Sequence, residues 1–370
     1  MTASNEPPAM QQQPQSQSQS QSQSLPRSHP LPVILDVDTG IDDALALLLA
    51  VRHPALDVRA ITCTGGNAPL AQVVINTLRV LDAAGAADIP VAAGAQRPLL
   101  EAPQHATAIH GLDGLADLGL PASNRTPVPQ HAVELLRSAL LASAEPITLI
   151  CLAPLTNIAL LLRLHPEVVP HIARVVMMGG AVGAGNATAS AEFNVWHDPE
   201  AAAIVLGEGL DVLMYGLEPF YRVGVHHSDV QKLMSAPGSA AQLAGALLSH
   251  LIGIDATEDR VADDRVAIGD AGAVCAAIDP TALVTRRVPV EVALAPGLTR
   301  GQTVVDLRTM VGADITASRA AMPATVVLDV DTEPYRRLFL EVLLPDALLP
   351  DSLPIDAVPI DAVPSSGGRA

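Results

Sequence analysis

Asp36-Val37-Asp38-Thr39-Gly40-Ile41-Asp42-Asp43 places four carboxylates within eight residues, between an apolar run at 33–37 and a helix-forming segment at 44–51. The order reads as strand, turn, helix. Asp36 and Asp38 share one strand face if the strand persists that far, and Asp42 and Asp43 open the helix, where its dipole favours anions. Four such charges repel one another unless a hard cation offsets them. Calcium, with roughly six to eight oxygen ligands, and magnesium both accept carboxylates. The plainer alternative is that Asp42 caps the helix and the others face solvent, a reading that suits a lone acidic pair better than this string. Similar letters return at Leu328-Asp329-Val330-Asp331-Thr332, but Glu333 and Pro334 follow, and there Asp329 and Asp331 read as turn and cap residues.

Outward from this block, further short apolar runs at 58–63, 147–151, 174–178 and 212–216 alternate with helical stretches such as 71–84 and 131–144. This pattern predicts an α/β fold, an open and mostly parallel central sheet flanked by helices in the Rossmann-like manner. Ligands of such sheets bind beyond the carboxyl ends of the strands, so the loops after these runs are the place to seek chemistry. More strands are expected between 288 and 328, at 303–307 and 325–330. No linker divides the body. Residues 1–30 carry a Gln/Ser run at 11–24 and read as a disordered tail; residues 349–370, with Pro-Ile-Asp-Ala-Val repeated at 354–358 and 359–363, read as a flexible one; 31–348 remain as one domain.

Composition narrows the function. A net charge of −18 with one lysine, Lys232, opposes contact with a nucleic-acid backbone and suits a metal cation or a neutral polyhydroxyl substrate. Prolines and polar residues break every hydrophobic stretch, which argues against a membrane span. The start of the chain lacks the basic-then-apolar pattern of a signal peptide. Cys63, Cys151 and Cys275 lie far apart in apolar stretches and read as buried free thiols. A cytoplasmic protein is expected.

The string DVDTGIDDALALLLA resembles the signature of the inosine-uridine preferring nucleoside hydrolase family. Other blocks agree in order along the chain: GGN at 65–67, DIPVAAGAQRPL at 88–99, HGLDGL at 110–115, APLTNIA at 153–159, MGGAVGAGNATASAEFNVWHDPEAA at 178–202 and GQTVVD at 301–306. The likeness covers roughly residues 31–344. It implies the nucleoside-hydrolase fold and calcium-dependent hydrolysis of the N-glycosidic bond of ribonucleosides, giving free base and ribose. It also implies a homodimer or homotetramer. By the same resemblance Ca2+ would be bound by Asp38, Asp43, Asp270 and the backbone carbonyl of Leu152, with Asp36 behind them. Asp42, Asn67, Asn186, Glu192 and Asn194 would hold the ribose hydroxyls, Met178 would pack beneath the sugar, and Asp38 would act as general base toward water. Departure of the base builds positive charge on the ribose ring, which surrounding carboxylates and amide oxygens stabilise.

Each of these residues also has a structural reading. Asn186 suits a turn, Glu192 or Asn194 could cap the helix near Asp198 and Pro199, Asp270 could cap the helix after it, and Met178 could be strand core. The family pattern has a histidine just before the late calcium-binding aspartate, and this chain has Gly269. The group that protonates the departing base is therefore unassigned. Trp196, His110 and His197 are near the motifs, but a lone tryptophan is ordinarily core and the histidines read equally as structural. Asp255, Asp263 and Asp264 could approach the base or simply face solvent. Two other functions compete: a calcium and ribose binding protein without catalysis, for which Gly269 speaks, and a phosphatase of the haloacid-dehalogenase type. The latter needs a cation for phosphoryl oxygens, usually a lysine, and leaves the GGN and AEFN blocks unexplained.

Overall fold

In the computed structural model, residues 29–257, 264–309 and 321–344 are described. The remaining stretches, with the two tails (apart from residues 29 and 30) and Asp263, lie outside them. The strands are β1 (Leu31–Val37), β2 (Leu56–Cys63), β3 (Val91–Ala93), β4 (Ile147–Cys151), β5 (Ile172–Met178), β6 (Val212–Tyr215), β7 (Gly224–His226), β8 (Arg265–Ala267), β9 (Leu283–Val292), β10 (Thr303–Val305) and β11 (Met322–Val330). The helices are α1 (Ile41–Arg52), α2 (Leu70–Ala84), α3 (Thr107–His110), α4 (Ala132–Ala142), α5 (Thr156–Leu164), α6 (Phe193–His197), α7 (Pro199–Gly207), α8 (Leu217–Arg222), α9 (His227–Ser235), α10 (Ser239–Thr257), α11 (Ala271–Ile278) and α12 (Thr332–Leu343).

Nine strands form one sheet in the order β10-β9-β11-β6-β5-β4-β1-β2-β3. From β11 to β3 every neighbouring pair is parallel, whereas β9 runs antiparallel to both β11 and β10. The sheet is therefore mostly parallel, as the strand-helix alternation predicts, with an antiparallel edge that it does not. β7 and β8 pair separately.

The parallel strands are buried on both faces, and their period of two sorts side chains between two cores. On β1, Leu31, Val33, Leu35 and Val37 join the core beneath α1, α2, α10, α11 and α12, while Ile34 joins the one beneath α4, α5 and α7. On β5, Val176 and Met178 face the first core, and Val175 and Met177 the second. All three cysteines are buried and free, as expected. Among the described residues no helix is long and apolar enough to cross a membrane.

Two details decide where chemistry can occur. β1 ends at Val37, so Asp38 begins the turn and does not extend a strand face shared with Asp36. The chain leaves β1 toward β2 and β3, then returns to β4 on the other side of β1. The order of connections reverses between β1 and β4, which opens a crevice at their carboxyl ends.

Asp331 caps α12 by accepting from Glu333 N at 3.3 Å, the cap role read for the second Asp-Val-Asp-Thr. α12 closes the first core with Tyr335 and Phe339, both fully buried. Phe339→Ala is expected to lower stability by about 3–5 kcal/mol, since the cavity relaxes only in part. Urea unfolding measures this, and an unchanged midpoint would show that α12 is not part of the cooperative unit.

Candidate active site

A cavity of about 630 Å³ opens over the carboxyl ends of the central strands. Asp42, Asn67, Leu152, Met178, Asn186, Glu192, Asn194 and Asp270, all expected at the site, line it. They arrive from the end of β5, from the segments that follow β1, β2, β4 and β5, including the first turns of α1 and α6, and from the turn before α11.

The floor is carboxylate. Oxygens of Asp42, Asp43 and Asp270 lie within 4.8 Å of one another, with Asp43 and Asp270 buried. Asp270 begins α11 but makes no side-chain capping bond, so its carboxylate is not used by the helix. Burial raises its pKa well above the carboxylate range, and the charges adding most to that rise are Asp42, Asp43, Asp38 and Glu192, all acids. Burial, then the charge of Asp42, pushes Asp43 up to about 7. Three oxygen donors crowded in this way form a set that a divalent metal ion fits: the ion would supply the charge the protein withholds.

The backbone is shaped around these groups. Asp43 accepts from the N–H of Asp38 at 3.1 Å and of Gly40 at 3.0 Å, which turns the chain from β1 into α1. Asp38 lies beside the cluster of three and outside it. Its Oδ2 accepts from Asn67 N at 2.6 Å, and the Asn67 amide donates to Asp38 Oδ1 at 3.3 Å and to Asp43 Oδ2 at 3.1 Å. Burial and the charge of Asp43 raise Asp38 well above its usual range. Asp36 sits behind. Its Oδ1 accepts from Thr62 at 2.5 Å and Asn157 at 2.8 Å, and burial lifts its pKa to about 7. The Leu152 N–H donates to the Asp36 carbonyl at 2.8 Å, tying the β4 exit to β1.

The AEFN block gives Glu192 and Asn194 positioning duties as well. Glu192 accepts from the N–H groups of Asn194, Val195 and Gly180 at 2.8, 3.1 and 2.9 Å. It thus caps α6, while Asp198 caps α7 by accepting from Ala201 N at 3.1 Å. The cap at Pro199 is therefore Asp198, and neither Glu192 nor Asn194 fills it. Burial raises Glu192 to about 7. The Asn194 amide donates to the carbonyls of Leu152 at 2.9 Å and Met178 at 3.2 Å, clamping the ends of β4 and β5 together. Met178 is both strand core and cavity lining. Asn186 accepts from Phe193 N at 2.9 Å, which ties its loop, part of the cavity lining, to the start of α6.

Some residues are not where the sequence suggests. Trp196 is half-buried in the cavity wall and not in the core. His110 is buried at that wall and accepts from Ile41 N through Nδ1 at 3.0 Å, so the neutral ring carries its proton on Nε2. Burial lowers its pKa. His197 is buried away from the cavity lining, its pKa pushed down to about 4 by burial. Asp264 is exposed and faces His227 at 3.3 Å. The apolar side of the cavity, including Ile109, Phe220, Leu251 and Ile254, has no motif, and only the scarcity of aromatic residues could have singled out Phe220.

Comparison with known proteins agrees with this geometry. The family model described as inosine-uridine preferring nucleoside hydrolase matches residues 33–337. The pyrimidine-specific ribonucleoside hydrolase RihA of Salmonella arizonae is 37% identical over 313 residues, 85% of this chain and 98% of that protein. Among solved structures, the plant nucleoside hydrolase PpNRh1 superposes with a TM-score of 0.79 at 30% identity, over 85% of this chain and 99% of that one. The purine-preferring ribonucleoside hydrolase of Gardnerella vaginalis gives 0.76 at 27% identity, over 84% and 98%. Because the matched model spans the sheet and every loop that lines the acidic cavity, this chain belongs to the inosine-uridine preferring nucleoside hydrolase family, enzymes that hydrolyse the N-glycosidic bond of ribonucleosides.

Proposed function

We propose that this nucleoside hydrolase is calcium-dependent and that residues 31–348 form its single catalytic domain. Asp38, Asp43, Asp270 and the carbonyl of Leu152 would hold the ion, and Asp42, Asn67, Asn186, Glu192 and Asn194 the ribose hydroxyls, with Met178 beneath the sugar. The observation that carries this reading is the meeting of Asp43 and Asp270, remote in sequence, in one carboxylate cluster with Asp42; Asp42 and Asp270 line the cavity while Asp43 lies buried behind them. A bound calcium ion supplies charge there: it offsets the carboxylates, acidifies water within its reach and anchors hydroxyl oxygens.

The protein's own groups do the rest. Asp38 takes the proton of the attacking water, its carboxylate aimed by two bonds from Asn67. Asp42, Glu192 and the asparagine oxygens surround the ribose with negative and dipolar charge, which strengthens its hold as the ring becomes cationic. The neutral His110 offers an Nε2–H donor in the cavity wall, suited to a departing base. Its buried thiols fit a reducing compartment such as the cytoplasm, and by family likeness the chain assembles as a homodimer or homotetramer. Relatives named for pyrimidines and for purines both resemble the chain, so both base classes are candidate substrates.

The decisive experiment measures reducing-sugar release from a panel of purine and pyrimidine ribonucleosides, with and without chelator, for wild type and Asp38→Ala. Release that stops with chelator and with the substitution is expected. Protein that binds calcium and releases nothing from any nucleoside would instead be a binding protein. Asp43→Asn and Asp270→Asn should each weaken calcium binding by roughly ten- to a hundredfold or more in calorimetry, as loss of a charged ligand requires. Gly66→Ala tests the placement of Asp38, proposed both as ligand and as base, without removing its carboxylate. A Cβ at Gly66 would stand 2.0 Å from Asp38 Oδ2, so the carboxylate must move. We expect kcat to fall by up to about a hundredfold, with unfolding little changed; full activity would remove Asp38 from the role of base.

A further inference from the structure

Gly269 stands at the turn from β8 into α11, where the family pattern has a histidine. Its φ is +54°, and a Cβ there would lie 2.7 Å from the Cβ of Asp42 and 3.1 Å from Cε2 and Cζ of Phe220. Any side chain at 269 must therefore displace both an acid of the cavity floor and a ring of its wall. The space is filled from another element, α8.

That ring is held firmly. The Tyr215 hydroxyl donates to the Pro219 carbonyl at 3.2 Å, and Glu218 Oε1 accepts from the N–H groups of Val182 and Gly183, both at 2.8 Å. α8 is thus tied to β6 and to the loop after β5. Phe220 packs on the core from one side and lines the cavity with the other, its ring 5.1 Å from that of Tyr221 in an edge-on arrangement. Ile109, Leu251 and Ile254 line the cavity too, whereas the floor is acids and amides. A nucleoside has the same division, a polyhydroxyl sugar joined to a flat aromatic base.

We infer that Phe220 is a specificity-determining residue: its ring, in the space left by Gly269, forms the wall against which the nucleobase packs. The base is held at this point by aromatic contact, and position 269 contributes no proton. The inference rests on the nucleoside hydrolase reading of the site and names the residue that recognises the leaving group.

The test compares wild type with Phe220→Ala, Phe220→Leu and Phe220→Tyr in the calcium-loaded full chain. Calorimetry gives the affinities for ribose and for a C-nucleoside analogue, whose carbon-carbon bond to the base is not hydrolysed, and steady-state assays give kcat and KM. Phe220→Ala should weaken nucleoside binding roughly tenfold or more, as loss of a base-aromatic contact does, and raise KM more than it lowers kcat. Ribose affinity should stay within about twofold, Phe220→Tyr should resemble wild type, and Phe220→Leu should lose binding as Phe220→Ala does. Equal weakening of ribose and nucleoside would mean that the ring only supports the floor, and wild-type behaviour of Phe220→Ala or Phe220→Leu would also overturn the inference. A wild type that binds nucleoside without turnover would remove the catalytic reading while leaving the affinities to decide the role of Phe220.

Discussion

Mutual repulsion among buried carboxylates is the constraint around which this molecule is arranged. Asp38, Asp43, Asp270 and Glu192 are all buried, Asp270 and Glu192 line the cavity with Asp42, and the strongest charges acting on Asp270 are acids. Such an arrangement is costly in a dry interior unless hydrogen bonds and a cation offset it. The protein provides the hydrogen bonds. Asn67 bridges Asp38 and Asp43, backbone N–H groups converge on Asp43 and Glu192, and Thr62 with Asn157 hold Asp36. A cation held by Asp42, Asp43 and Asp270 would offset the repulsion that remains.

The sheet makes this crowding possible. Parallel strands all end at the same edge, so residues far apart in the chain arrive at one place. Reversal of the connections between β1 and β4 opens the crevice there, and the Asn194 amide closes its base by joining β4 and β5. Stability of the two apolar cores and geometry of the site are thus linked: the backbone that buries Leu35 and Ile150 also fixes Asp38 and Leu152.

The cavity divides chemically as its substrate does. Its floor carries charged and hydrogen-bonding groups and its far side is apolar, the division proposed here to match sugar and base. The close approach of Phe220 and Asp42 to Gly269 couples the halves, because a side chain at that point would disturb both.

Much of this was legible in the chain itself. Asp36 to Asp43 announced strand, turn and helix because charge, apolar period and helix start agree locally, and GGN follows the next apolar run. Asp270 entered through the family resemblance. Other features were decided only in three dimensions. Whether Asp38 or Asp42 completes the carboxylate cluster depends on where β1 stops and how Asn67 reaches across from the next loop. Whether Trp196 is core or cavity wall, and that Phe220 belongs to the site, depends on α6, α8 and α10 converging on one cavity, which hydrophobic patterning does not specify. An apolar residue facing a core and one facing a cavity have the same local signature. The sequence by itself therefore determined the acids and the fold class, which rest on local period and short motifs, and through its family resemblance it implied the reaction. Tertiary structure decided which surface meets the base, because that surface exists only where distant elements converge.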